Sequence, residues 1–439
     1  MKTDVKVIGG GLAGSEAAYY LAKRGYKVAL YDIKPKSFTP AHHSEKYGEL
    51  VCSNSLKSGD IYGNACGLLK EEMRILGSMI IACADKTKVP AGNALAVNRE
   101  DFASMITERL KETGNIEFIC EDVGSVDLDG NVIIATGPLT TPGLIDFIKE
   151  ITGDGFYFFD AAAPIVSGES IDMDNAFISD RYGEEGKGDY INCPIDKEGY
   201  KSFIKELLSA ERVPLHSFED VKVFEGCMPV EVMAARGEDT LRFGPLKPAG
   251  LTDPKTGRWP YACMQLRKED EAGEMYNLVG FQTNLLFHEQ KRVFGMFPAL
   301  KNAEFYRYGV MHKNAYINSP EVLNDDFSLK AHPTVFFAGQ ITGVEGYVES
   351  AASGLWAAIN MDRKLKGLPP LKADNRTVIG ALASYVSTPN CDFQPMNSNY
   401  GIIAPIEYDK RKKAEKKRLM SERALEITKA IKENIENGI

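Results

Sequence analysis

The chemistry-bearing residues of this chain begin with a run of glycines. Gly9-Gly10-Gly11-Leu12-Ala13-Gly14 has the Gly-x-Gly-x-x-Gly spacing of a turn that receives a dinucleotide. The first glycine permits a tight turn, the second lets a pyrophosphate approach the backbone, and the third lets helix pack on strand. Phosphates then meet unpaired N–H groups and the positive end of a helix dipole. Asp32 follows about 20 residues on, at the end of the next apolar strand, where a carboxylate accepts from ribose hydroxyls. Two later segments, Ala135-Thr136-Gly137 and Phe337-Ala338-Gly339, end apolar runs in small residues and leave room for a long ligand. A helix opening near Gly346 would aim its N-terminus at a flavin ring, where reduction leaves negative charge. These turns point to FAD rather than to a nicotinamide dinucleotide alone.

Thiols are the second resource. Eight cysteines, at positions 52, 66, 83, 120, 193, 227, 263 and 391, are scattered with no CxxC pair and no metal-ligand spacing, so reduced thiols are expected. Most cysteines are small buried hydrophobes, and six of these fit that description. Cys52, in the polar stretch Cys52-Ser53-Asn54-Ser55, and Cys227, in the turn-like Glu225-Gly226-Cys227-Met228-Pro229, stand in different settings.

Positioning these groups calls for an α/β frame. The first forty residues read as one β-α-β unit: a strand over Val5 to Ile8, a helix stopping at Gly25, and a strand ending at Asp32. The stretch from Phe38 to about Val97 reads as loop-rich, a helix resumes over Arg99 to Glu112, and Val132 to Gly137 reads as a buried parallel strand with its turn. Residues near 190 to 325 differ in character. They offer a helix from about Asp196 to Ala210, a turn at Asp253 to Gly257, strands over Tyr261 to Arg267 and Met275 to Thr283, and a helix over Leu285 to Phe297. The doubly wound pattern returns at Thr334 to Gly339. A long helix with apolar Val348, Ala352, Leu355 and Ile359 follows, and a charged helix begins at about Asp409. The expected architecture is therefore a Rossmann-like FAD-binding domain of the three-layer ββα type, interrupted by a smaller α+β insertion domain. Residues 1–190 and 329–370 would form the first, 191–328 the insertion, and 371–439 a C-terminal segment ending in a basic helix.

Composition bounds the possible partners. A chain of 439 residues with 44% hydrophobic and 26% charged residues can bury real cores and is not disordered in bulk. Its net charge, 52 − 61 = −9, argues against a body that grips nucleic acid through phosphates alone, so an RNA partner needs a local basic patch. No apolar run is long enough to cross a bilayer and the N-terminus lacks signal-peptide anatomy, so a cytoplasmic location is expected, with no membrane contact.

Gly9 to Ala18 and Phe337 to Gly343 resemble the tRNA-modifying flavoproteins of the GidA superfamily. Four more particular segments are similar to its folate- and FAD-dependent tRNA (uracil-5-)-methyltransferase family. They are Pro40-Ala41-His42, Val51 to Leu56, Cys227 to Glu231 continuing into Thr240 to Pro248, and His288-Glu289-Gln290-Lys291. The resemblance covers nearly the whole chain, and the extra C-terminal helical domain of the larger GidA-type enzymes is not expected here. It implies transfer of the methylene of 5,10-methylenetetrahydrofolate to carbon 5 of a tRNA T-loop uridine. Reduction to methyl would follow through FAD recharged by NADH or NADPH. Carbon 5 of uracil is a poor nucleophile, and a thiolate adding at carbon 6 turns the ring into an enolate. By resemblance, Cys227 is the adding thiolate and Cys52 assists methylene transfer or removes the carbon-5 proton, with the reverse assignment open. The resemblance likewise implies Gly9, Gly10, Gly11, Leu12, Ala13, Gly14, Asp32, Gly137, Gly339, Gln340 and Gly346 at the cofactor. It implies His288 stacked on the pterin and Arg292 at the folate tail. Glu345 and Glu349, beside the glycine turn Gly343 to Gly346, are placed either to accept from flavin or pterin donors or to stand as surface carboxylates near a helix start.

Two segments are candidates for RNA contact. Lys410 to Arg418 holds seven cations and one carboxylate, and Phe305-Tyr306-Arg307-Tyr308, with His312 and Lys313, offers rings on which a base can stack. A T-loop uridine is stacked, so it must be flipped to reach a flavin. Three other readings compete: the same chemistry on a 23S rRNA uridine, an NAD(P)H-dependent flavin oxidoreductase acting on a small molecule, and a non-catalytic FAD-containing RNA-binding module. No stable protein partner is expected.

Overall fold

A computed structural model describes residues 3–153, 156–161, 163–183, 187–213, 228–270, 272–309, 311–390, 393–408 and 413–438. The glycine-rich turn lies between the strand Val5–Ile8 and the helix Leu12–Lys23, as its spacing requires. At Gly9 the backbone has φ +103°, and a Cβ there would meet the Ala135 carbonyl oxygen at 2.6 Å. A Cβ on Gly14 would lie 1.8 Å from the Gly9 carbonyl oxygen, so only glycine lets this helix start against its strand.

Val5–Ile8 pairs in parallel with Val28–Asp32 on one side and with Val132–Ile134 on the other. Ile116–Cys120 and Val335–Phe337 complete a five-stranded parallel sheet at its two edges. Val132–Ile134 and Val335–Phe337 are wholly buried, which is why they read as unbroken apolar runs. The sheet thereby sets three turns from distant parts of the chain, after Ile8, Ile134 and Phe337, at the carboxyl ends of adjacent strands. In open α/β sheets that edge is where a ligand crevice forms.

One sequence expectation fails here. The stretch from Phe38 to Val97 holds two helices, Ala65–Leu76 and Met79–Lys86, and a small antiparallel sheet of Ser55–Ser58, Ala94–Val97 and Lys88–Val89. The helices start at polar caps: the Asn64 side chain accepts from the Cys66 N–H and the Ser78 hydroxyl from the Ile81 N–H. Leu68, Leu69, Met73, Ile80 and Ile81 are buried behind them.

A second sheet has six strands, in the order Phe177–Ile178, Tyr190–Ile195, Ala262–Lys268, Met275–Leu278, Ile165–Ser167 and Phe305–Arg307. Its own core includes Phe203 of the helix Lys197–Ser209, with Phe281, Phe294 and Phe297 packed edge to face. The strand expected over Met275 to Thr283 ends at Leu278, and the helix expected over Leu285 to Phe297 spans Phe287–Phe294. The first strand of this sheet begins at Ile165, ahead of the boundary at 191. An antiparallel ribbon of Phe156–Ala161 and Met311–Tyr316 runs where the chain passes between the two cores. The last helix, Lys413–Asn437, packs on Ala65–Leu76 and buries Met420 and Ala424 in the first core, so the charged tail is a docked helix. No helix among the described residues is long and apolar enough to cross a membrane.

Candidate functional site

The three turns line one cleft at the carboxyl ends of these strands. Gly9 to Ala13 and Asp32 form one wall, Ala135 to Thr141 another, and Gln340, Tyr347 and Ser350 a third. Asp32 Oδ2 accepts from the Gly10 N–H at 2.7 Å and Oδ1 from the Lys34 N–H at 2.9 Å, which fixes the carboxylate and leaves each oxygen a lone pair for a hydroxyl. Gly11 has ordinary extended dihedrals, φ −71° and ψ −167°, and no atom lies within 4 Å of where its Cβ would be. Its missing side chain therefore faces open space at the point in the motif where a pyrophosphate approaches. On this geometry the turn fits FAD.

The other expected cofactor positions are locally ordered. Thr140 donates to the Gly137 carbonyl at 2.9 Å, the Gly339 N–H donates to Ser353 Oγ at 2.7 Å, and Gln340 donates to Glu345. Gly346 immediately precedes the helix Tyr347–Leu365, whose first turn lines the cleft with Tyr347 and Ser350. Three cleft residues were not singled out from sequence. Lys34 is buried, which depresses its ammonium against the opposing pull of Asp32. His42 Nδ1 lies 2.6 Å from Thr39 Oγ1, and burial pushes the imidazole below its ordinary value. Tyr347 is the third. The Pro40-Ala41-His42 motif was a signal for His42, whereas Lys34 and Tyr347 carry none of short range.

Cys52 is half-buried in a loop tied to the cleft wall by Tyr347, whose hydroxyl accepts from the Cys52 N–H at 2.6 Å and the Ser53 N–H at 3.2 Å. Cys227 lies outside the described residues. Glu231 of the same motif is buried and accepts from Thr283 Oγ1 at 2.9 Å and the Asn284 N–H at 2.7 Å, a structural tie. Cys66, Cys83, Cys193 and Cys263 are buried and Cys120 is half-buried, while Cys391 lies outside the described residues. Burial pushes the Cys83 and Cys263 thiols up to about 12, far from reactivity.

The expected folate residues stand on the helix Phe287–Phe294. His288 is exposed, with Nε2 3.5 Å from Glu289. Arg292 donates to Glu289 at 2.6 Å and to Glu206, and these carboxylates raise its already high value. The neighbouring Phe287 ring stacks on Tyr308 with centroids 4.7 Å apart, and Tyr308 stacks on Phe305 at 5.1 Å. Arg307, between those two rings in sequence, reaches the Cys52 loop instead, so the segment 305–308 links the His288 helix to that loop. Glu349 is fully buried. Burial opposes its ionisation, but Lys57 at 3.1 Å and two bonds from Ser398 hold its carboxyl below the usual range. That makes it an internal anchor of the helix start. Glu345 bonds Gln340. In the basic segment, Lys410, Arg411 and Lys412 lie outside the described residues. Lys417 donates to the Gly63 carbonyl at 3.2 Å, and Arg418 pairs with Glu422 at 2.8 Å.

Comparison with known proteins adds the following. Residues 4–369 match the family described as glucose inhibited division protein A. The methylenetetrahydrofolate–tRNA-(uracil-5-)-methyltransferase TrmFO of Acetivibrio thermocellus is 55% identical over 427 residues, 97% of this chain and 98% of that protein. The proteins of the same name from Lactobacillus gasseri and Bacillus anthracis are each 53% identical, covering 99% of both chains for the former and 96% and 97% for the latter. Among solved structures, GidA of Aquifex aeolicus superposes with a TM-score of 0.70 at 16% identity, covering 100% of this chain and 75% of that one, a likeness of fold.

Proposed function

The chain belongs to the glucose inhibited division protein A family, and from that premise we propose that it is a folate- and FAD-dependent tRNA (uracil-5-)-methyltransferase. One observation carries the reading: identity above 50% to relatives of that name along essentially the full length of both chains. The relatives' names favour tRNA over rRNA and over a small-molecule oxidoreductase, and a tRNA substrate goes with a cytoplasmic location.

When bound, FAD supplies the two electrons that take a methylene carbon to methyl, and NADH or NADPH restores them. The amides at the start of the helix Leu12–Lys23 would hold its pyrophosphate, with Gly9 to Gly11 shaping the approach, and Asp32 its ribose, with Gly137, Gly339, Gln340 and Gly346 along its length. The start of the helix Tyr347–Leu365 would favour negative charge beside it. Cys52, tied to that helix through Tyr347, is our choice for removing the carbon-5 proton or assisting methylene transfer. Cys227 is our choice for the thiolate that adds at carbon 6 of uracil. His288 is exposed and available to stack on a pterin, whereas Arg292 would meet a glutamate tail only by exchanging Glu289 or Glu206.

The test is a label transfer. Flavin-loaded protein is given methylene-labelled tetrahydrofolate, NADPH and unmodified tRNA, with an unmodified 23S rRNA fragment in parallel. Label in 5-methyluridine of the tRNA is expected. Flavin reduction without label in RNA would sink the reading, and label in the rRNA fragment alone would move the substrate.

A further inference from the structure

The loop that carries Cys52 gathers more positive charge than a polar loop needs. Arg99, at the start of the helix Arg99–Glu112, donates to the Leu50 carbonyl at 3.0 Å and the Cys52 carbonyl at 3.4 Å, and pairs with Glu269 at 2.7 Å. Arg307, from the strand Phe305–Arg307, donates to the carbonyls of Val51 at 2.6 Å and Cys52 at 3.2 Å. Arg267, from the strand Ala262–Lys268, bonds Asn54 Oδ1 at 3.1 Å and Ser53 Oγ at 2.7 Å. Three guanidiniums from both cores thus converge on five residues.

Their counter-charge is incomplete. Glu269 is the only carboxylate bonded to any of the three among the described residues, and its Oε1 is buried without a hydrogen-bond partner. Tyr347 closes the fourth side and Tyr190 bonds Arg267, and burial keeps both phenols protonated and neutral. Among the described residues, two of the three guanidiniums have no bonded carboxylate. Burial and the repulsion of Arg99 both press on Arg307, yet a guanidinium does not give up its proton. A full negative charge close by relieves this strain better than a carbonyl dipole. Arg99, Arg307 and Tyr347 all bond the backbone of Cys52 itself, the first two at its carbonyl and the third at its N–H.

We propose that Arg307 and Arg99 are positioning residues that hold Cys52 as a thiolate and, by clamping its carbonyl, fix the backbone that presents it. The proposal rests on the reading of Cys52 as a residue that serves methyl transfer. A thiolate at neutral pH is what either proton removal or nucleophilic assistance requires. An opposite charge within about 4–6 Å of an acid typically lowers its midpoint by about one to three units.

The experiment is alkylation of Cys52 by iodoacetamide in the flavin-loaded full chain, resolved by peptide mass spectrometry across pH. The wild-type midpoint is expected at or below about 7.5, against about 8.5 for an ordinary thiol. Arg307→Gln should raise it by about one unit or more. Arg307→Lys keeps the charge and should raise it less, as should Arg267→Gln, which touches Ser53 and Asn54 rather than Cys52. A wild-type midpoint at or above about 8.5 overturns the proposal, as does a midpoint unmoved in Arg307→Gln. Should Arg307→Gln fail to load flavin, the wild-type midpoint alone decides. Methylation by Cys52→Ala is measured separately. If it persists, Cys52 loses its catalytic role, while the alkylation midpoint still judges the arginines.

Discussion

At Gly11 the fold and the cofactor make different demands. Its dihedrals suit any residue and its surroundings are open, so Gly11→Ala should fold with unchanged melting temperature in the absence of flavin. The added methyl group would enter the pyrophosphate position at a cost of about 1–3 kcal/mol, so FAD affinity should drop about ten- to hundredfold. Flavin absorbance per protein and fluorescence titration measure this, and full flavin loading at low FAD would contradict it. Cys52→Ala should separate differently: flavin content stays, while methyl transfer falls by about two orders of magnitude or more. At this scale the sequence was legible where a motif fixes backbone geometry, as with Gly9, Gly14 and Asp32. It was silent on Tyr347, Lys34, Arg99 and Arg267 and set Arg307 in a base-stacking segment instead, because each reaches the site from an element whose neighbours are set only by packing. Glu349 illustrates the converse: a carboxylate beside the third glycine turn proved to be a buried partner of Lys57 and Ser398.

Elements in this molecule are joined by buried carboxylates that cap helices belonging to other segments. Glu16, in the first helix, accepts from the Met79 N–H at 2.8 Å and the Ile80 N–H at 2.9 Å. Glu72 accepts from the Val378 N–H at 2.8 Å and the Ile379 N–H at 2.9 Å. Burial outweighs these bonds and pushes Glu16 up to about 7 and Glu72 up to about 8. A raised carboxyl stabilises the fold below its unfolded value and loses that contribution as pH rises through its folded value. Each group should therefore lower stability by about 1.4 kcal/mol per pH unit, from about 4.5 up to about 7 for Glu16 and about 8 for Glu72. Urea unfolding of Glu72→Gln should show a slope against pH shallower by that amount, whatever the change in absolute stability. An unchanged slope would contradict the assignment. The same capping explains why the helices Ala65–Leu76 and Met79–Lys86 escaped the sequence reading. Their Asn and Ser caps have the composition of a loop, whereas the Arg99–Glu112 helix, with Asn98 before it and two carboxylates in its first turn, was legible.

Across the whole molecule, a chain of net charge −9 must hold an RNA through a local surface. The start of the helix Lys413–Asn437 is the candidate, because the helix is docked through Met420 and Ala424 while Lys417 and Arg418 stay exposed. Replacing Lys416, Lys417 and Arg418 together by Gln should weaken tRNA binding. The slope of log affinity against log salt should become shallower by about 0.7–0.9 for each phosphate no longer neutralised. Unfolding should shift by no more than about 0.5 kcal/mol, since no buried group is removed. Filter binding at several salt concentrations measures the slope, and an unchanged slope would place the RNA elsewhere. Deleting the helix is a different experiment, because it would uncover the first core.

The sequence by itself determined the β-α-β unit, the three glycine turns and the FAD they imply. Each is encoded in contiguous residues through strand periodicity, helix starts and close approaches that only glycine allows. Its family motifs carried the methyl-transfer reading. Tertiary structure alone decided that the second sheet starts at Ile165, that the basic tail is a docked helix, and that Arg99, Arg267 and Arg307 meet around Cys52. Those outcomes depend on which distant elements pack together, and the net desolvated charge at a site exists only once they have.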